Sequence, residues 1–294
     1  MPPTTSISCP RAATKASHDF PMFWVRRPMS TAGSARRSAG LALAGLSAVA
    51  GAAWFYLAAG AGLGAAMRGM DTAGAGMTMA QMAPGWTPGY TALMLGMWTV
   101  MMTAMMLPSA APGVLRMAGR AGLGPADAAS GVGRAAWFAA GYLVIWAGFG
   151  AAATGLQRAL DAAHLLSDAM AVRSAAFAGL VVVAAGLYQL TPLKRACLER
   201  CRALDDCLAG GQTRRAPHAV LQGLRYGVSC IGCCAALMSL LFVGGLMNVA
   251  WAAAIAIWVL AEKILPWGGR IARLGAVGLI AGGISALGIA LVRG

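Results

Sequence analysis

Residues 226–261 read YGVSCIGCCAALMSLLFVGGLMNVAWAAAIAIWVLA, a run without one charged side chain. As a single helix it would be about 54 Å long at ~1.5 Å per residue, against a bilayer hydrocarbon core of ~30 Å. The run therefore predicts two short spans, near 227–243 and 246–261, turning at Gly244-Gly245. One long tilted helix, or a broken re-entrant element, is the alternative.

Outward from this stretch, further apolar runs occur near 39–60, 89–107, 135–154, 174–190 and 274–292. Each approaches the ~20 residues that a transmembrane helix needs. The expected fold is all-α: a polytopic transmembrane helix bundle of about seven spans occupying 39–294, or six if 226–261 is one element. Composition points the same way. The chain is 59% hydrophobic and 11% charged, where a soluble domain carries about 25% charge. Its 40 glycines suit close helix contacts in lipid, where packing must hold a bundle together. Residues 1–38 are basic, contain Pro and Ser, and lack periodicity, which predicts a disordered cytoplasmic tail. The apolar run after them is too long for a cleavable signal peptide and reads as a first span.

The formal charge is +14, from 23 basic and 9 acidic residues. The basic residues fall in short segments between apolar runs, at 11–37, 116–134, 194–225 and 263–273. A cytoplasmic amino terminus places all four on one side, as the positive-inside rule requires, and nucleic acid is not the expected partner. The expected location is the bacterial inner (plasma) membrane, multi-pass, with the lipid bilayer as the first partner.

In this topology Cys9, Cys197, Cys201, Cys207, Cys230, Cys233 and Cys234 all face the reducing side. Clustered cysteines there point to metal or redox chemistry rather than structural disulfides. Cys197 and Cys201 share a face if helical. Cys230, Cys233 and Cys234 have a spacing that can chelate one ion or form a reactive dithiol. Cys9 and Cys207 read as isolated small hydrophobes.

Methionine is the second signal. Met94, Met97, Met101 and Met105 share a helical face, with Met102 and Met106 beside them. Thioethers are soft ligands suited to Cu(I), and they also fill irregular cores, the competing reading for this span. Met77, Met79 and Met82, with Met67 and Met70, lie in an exterior loop where packing does not explain them. His164, between Asp161 and Asp168, reads as a solvated loop residue, with metal binding as the alternative. Lys194, Glu262 and Lys263 sit at helix ends, where charges mark interfaces; a Lys194–Glu262 pair across the cytoplasmic mouth is the functional reading. No phosphate-binding loop, dinucleotide fingerprint or hydrolytic carboxylate pair occurs, so an enzyme is not the favoured expectation.

The runs MMTAMMLPSAAP at 101–112, YQLTPLKRACLERCR at 188–202, YGVSCIGCCAALM at 226–238, and GGLMNVAW with the later Glu262-Lys263 at 244–263 resemble a bacterial family of uncharacterised, predicted metal-binding integral membrane proteins. The resemblance covers about residues 90–265. It singles out Met101, Met102, Met105, Met106, Pro108, Thr191, Pro192, Lys194, Cys197, Cys201, Cys230, Cys233 and Cys234, and also Met238, Met247, Asn248, Glu262 and Lys263. Ala235-Ala236, where a larger aromatic residue is expected, and Ala203, where a proline is expected, depart from the pattern.

The expected function is handling of a soft metal, copper first and another soft metal otherwise, as a transporter or a delivery factor. A partner membrane protein or metallochaperone would exchange the ion. Met77, Met79 and Met82 would capture it, Met101, Met102, Met105 and Met106 would relay it, and the five clustered cysteines would bind it. Lys194 would balance thiolate charge, with Glu262 and Lys263 in support. The alternatives are a membrane thiol–disulfide oxidoreductase cycling Cys230 and Cys233, and a non-catalytic assembly or structural subunit.

Overall fold

The computed structural model describes residues 29–59, 86–119, 125–167, 170–210, 216–246 and 248–293. The loop methionines Met67, Met70, Met77, Met79 and Met82, the tail with Cys9, and Asp168, Met247 and the Cys207 side chain lie outside the described residues.

Regular structure among the described residues is helical, apart from one isolated antiparallel bridge between Leu166 and Val172. The helices are α1 (Met29–Ala58), α2 (Pro88–Met106), α3 (Ala111–Ala118), α4 (Pro125–Ala162), α5 (Ala175–Leu190), α6 (Pro192–Gly210), α7 (Ala216–Ser239), the single turn α8 (Leu241–Gly244), α9 (Val249–Ile264) and α10 (Gly268–Arg293). A 3₁₀ turn, Pro108–Ala110, joins α2 to α3.

Local chemistry sets the boundaries. Thr87 caps α2, its Oγ1 accepting from Tyr90 N–H at 3.2 Å, and Pro88 occupies the first helical position, where a missing N–H costs nothing. Ser174 caps α5 through Phe177 N–H, and Asn248 caps α9 through Trp251 N–H. Pro192 holds Thr191 in the extended region (ψ 148°), as expected of a residue before proline. The chain bends by 61° there, and Thr191 Oγ1 accepts from Lys194 N–H to start α6. Gly245 makes the turn between α8 and α9 at φ 86°, a conformation that glycine adopts without steric penalty.

Small residues set the packing. A Cβ at Gly223 would strike the Phe138 carbonyl, and one at Gly141 the Val220 carbonyl, so α4 and α7 meet backbone to backbone. Gly179, Gly186 and Gly283 bring α5 and α10 close, where an added Cβ would meet the side chains of Leu287, Ile280 and Val183 and, just beyond them, the carbonyls of Gly283, Ala276 and Gly179. α2 and α3 pack on α4, and α6 packs on α7.

Five helices among the described residues are long and apolar enough to cross a membrane: Arg36–Ala58, Pro88–Met106, Gly131–Ala162, Pro217–Gly244 and Gly268–Val292. The bent pair Ala175–Leu190 and Pro192–Arg202 makes a sixth if taken as one span. The short element expected at 246–261 is α9, which has 16 residues, fewer than the ~20 typical of a transmembrane helix. The polar stretch after Thr191 forms α6 and the first turns of α7. Large apolar side chains face outward, among them Phe55, Val144, Leu180, Leu274, Leu291 and Val292.

Candidate metal centre

α7 carries Cys230, Cys233 and Cys234, spaced i, i+3 and i+4, so one helix face presents all three. Their sulfurs lie within 4.8 Å of one another and all are buried. Among the described residues this is the one group of Cys, His or carboxylate ligands so arranged. Cys230 Sγ and Cys234 Sγ are 3.8 Å apart. The thiols of Cys233 and Cys234 donate to the Cys230 carbonyl at 3.1 and 2.7 Å.

α6 brings the second pair alongside. Cys201 is buried on α6 beside Cys233. Cys197 is half-buried and lies over Gly232, where an added Cβ would stand 2.6 Å from its sulfur. Absence of a side chain at Gly232 thus admits the Cys197 thiol to the face of α7. Tyr188 donates from its hydroxyl to the Gly232 carbonyl, pinning α5 to the same turn.

The remaining wall comes from α2, α4 and α9. Lys263 Nζ lies 2.9 Å from Cys230 Sγ, 3.2 Å from Ser109 Oγ and 5.3 Å from the centroid of the Tyr226 ring. Tyr142 Oη is 3.2 Å from Cys230 Sγ and donates to the Met106 carbonyl at 3.0 Å. Ser109 Oγ donates to that carbonyl at 2.8 Å. The break at Pro108 explains this: Ala110 N–H turns to Leu107, and the Met106 carbonyl takes the two hydroxyls. Met106 Sδ stands 4.0 Å from Cys234 Sγ.

Lys194 makes the pair with Glu262 that the sequence reading offered for it. Its Nζ pairs with Glu262 Oε2 at 2.6 Å, both side chains almost fully buried. Gln189 Nε2 and Trp258 Nε1 donate to the other Glu262 oxygen at 3.2 and 2.8 Å. The cation at the thiols is Lys263, the next residue along α9. Arg202 closes this end, donating to the Glu262 and Leu265 carbonyls at the terminus of α9.

Of the methionines expected to form a relay, Met106 lies 4.0 Å from Cys234 Sγ, while Met101, Met102 and Met105 are buried along α2. His164 is exposed and takes φ 55° just past the end of α4, where it terminates the helix. Sequence reasoning missed Tyr142 altogether, a lone tyrosine in an apolar run. Ser109 was visible only inside the quoted MMTAMMLPSAAP run.

Three thiols, a nearby thioether and a cation to offset thiolate charge make a donor set suited to a soft monovalent metal rather than a hard divalent one. No curated protein and no solved structure matches the chain. The family model described as PpoB2, copper chaperone, matches residues 95–286, a stretch that takes in all five clustered cysteines, and the chain belongs to that family.

Proposed function

We propose that this chain is a multi-pass membrane protein that binds Cu(I) as cargo at Cys230, Cys233 and Cys234 and hands it on, either to a partner protein or across the bilayer. The observation that carries this reading is the buried group of three sulfurs within 4.8 Å, in a member of a copper-chaperone family. Metal binding to thiols requires their deprotonation, and Lys263 at 2.9 Å from Cys230 supplies a compensating charge. Cys201, beside Cys233, and the half-buried Cys197 form an exit or entry route from α6. Met106 links the thiols to Met105, Met102 and Met101, the intramembrane relay, with Met77, Met79 and Met82 as the capture segment outside.

The outward apolar side chains of α1, α4, α5 and α10 support the bilayer as surroundings, since soluble monomers rarely expose large contiguous apolar patches. The basic segments then set the amino terminus and the thiol cluster on the cytoplasmic side.

Metal content by mass spectrometry tests the reading. Detergent-purified protein, produced with and without added copper, is compared with a Cys230→Ser, Cys233→Ser, Cys234→Ser variant. Near-stoichiometric copper that disappears from the folded variant is the expected result. Metal-free protein under reducing conditions overturns the copper site. Stoichiometric oxidation of a dithiol in that metal-free protein points instead to a thiol–disulfide oxidoreductase. Cysteine substitutions that lower abundance alone point to an assembly subunit.

A further inference from the structure

A second sulfur constellation lies at the far end of α2 from the thiols. Gln157, buried on α4, accepts a hydrogen bond on Oε1 from Trp98 Nε1 at 2.8 Å. That contact turns its amide nitrogen toward two thioethers, Met170 Sδ at 3.2 Å and Met94 Sδ at 3.6 Å. The amide NH2 has two N–H donors, and each meets a thioether, a weak acceptor where oxygen would satisfy it better. Two sulfurs that converge on one nitrogen also converge on any soft cation that takes its place.

The backbone at Met170 gives an independent reason to regard this arrangement as built. Met170 takes φ 55°, a left-handed conformation uncommon for residues other than glycine, and observed strain of this kind is grounds for a functional hypothesis. The loop holds it there: Met170 N–H donates to the Ser167 carbonyl at 2.8 Å and Ser167 N–H to the Ala171 carbonyl at 2.8 Å. Val172 N–H then ties the loop to the Phe242 carbonyl at 2.8 Å. Met94 is fully buried whereas Met170 is half-buried. An ion arriving from outside this end therefore meets Met170 first.

We infer that Met94 and Met170 form a thioether site for Cu(I) or Ag(I), with Gln157 holding the two sulfurs apart until an ion displaces its amide nitrogen. The site deepens the copper reading and rests on it: Met94 begins the buried series Met97, Met101, Met105 along α2 that ends beside the thiols at Met106. The ion keeps its oxidation state, and only ligands exchange. Two thioethers give a weaker site than three thiolates, as a receiving or releasing station requires.

The test uses full-length protein in detergent with methyl-¹³C methionine and Ag(I) as a redox-inert probe. Cys197, Cys201, Cys230, Cys233 and Cys234 are changed to Ser, so that silver reports on thioethers alone. Met94 and Met170 are identified among the 18 methionines by Met94→Leu and Met170→Leu, swaps that conserve side-chain volume. Both methyl signals should move together along one shared titration curve, and either Leu variant should weaken the binding that curve reports at least tenfold. Silver that leaves these two signals unmoved overturns the inference. If the Ser variant does not fold, wild-type protein titrated beyond the capacity of its thiols gives the same readout. Copper retained by the wild-type thiols with these methyls unmoved would sink this site alone. Metal-free wild-type thiols with the methyls moving would sink the thiol site alone.

Discussion

Cys230 Sγ has a cation at 2.9 Å, a phenol at 3.2 Å and a second sulfur at 3.8 Å. Lys263 is the only one of these that carries positive charge, so its value should show in the loaded state, when the thiols have lost protons. A hydrogen bond to a charged group contributes ~1.5–3 kcal/mol, and ~1.4 kcal/mol is a factor of ten in affinity. Lys263→Met should therefore weaken Cu(I) binding about tenfold or more, measured by competition with a Cu(I) chelator, while the unloaded protein stays folded. Equal affinities would assign Lys263 to Ser109 and Tyr226 rather than to the thiols. Glu262 behaves in the opposite way. Its carboxylate is the buried counter-ion of Lys194, and removing one partner of such a pair costs ~3–5 kcal/mol because the other charge is stranded. Glu262→Gln should lower the unfolding temperature in detergent markedly, and Lys194→Met with Glu262→Gln should recover much of the loss. Equal destabilisation by the single and double variants would mean that the hydrogen bonds from Gln189 and Trp258, not the charge, hold this corner.

The seam between α4 and α7 positions Tyr142 against Cys230, and glycines make that seam. A Cβ at Gly223 meets the Phe138 carbonyl and lies 3.0 Å from Tyr142 N; both are backbone, so no flexible side chain can yield. Gly223→Ala should lower the unfolding temperature and reduce copper retained per chain, because the two helices must part at the level of Tyr142. Gly278 on α10 has open space around it, and Gly278→Ala should be neutral or stabilising by up to ~1 kcal/mol, the usual helix preference of Ala over Gly. Similar losses in both variants would refute the seam as the cause. Helices were legible in the sequence because apolar runs are local signals. The turn at Gly245 and the chelating spacing of Cys230, Cys233 and Cys234 were legible for the same reason. The contact of Lys263 with Cys230 was not, nor was that of Tyr142. Those pairs are separated by 33 and 88 positions and join different helices, so no periodicity within one helix encodes them. The short element α9 was legible as well, since Gly244-Gly245 divides the apolar run at 226–261, whereas the start of α7 was not, because it lies in a polar segment.

At the scale of the whole molecule, α4 is the ruler. Tyr142 touches the thiol cluster and Gln157 the Met94–Met170 pair, and along one helix they are ~22 Å apart at ~1.5 Å per residue. That separation approaches the ~30 Å of a hydrocarbon core, so a membrane-crossing α4 puts the two sulfur sites toward opposite faces. In the proposed orientation the thiol end, with the Lys and Arg of 194–225 and 263–273, lies on the cytoplasmic side. Single cysteines at Ala163, exposed just beyond the end of α4, and at Ala196, exposed on α6, report the two ends. With Cys9, Cys197 and Cys207 changed to Ser, an impermeant maleimide applied to intact spheroplasts should label Ala163→Cys and spare Ala196→Cys. Opening the membrane should expose Ala196→Cys. Labelling in the reverse pattern would keep the crossing and invert the orientation, moving the thiols to the outer side. Labelling of both positions from one side would mean that α4 does not cross, and the path from Met94 to Met106 would then no longer connect two compartments.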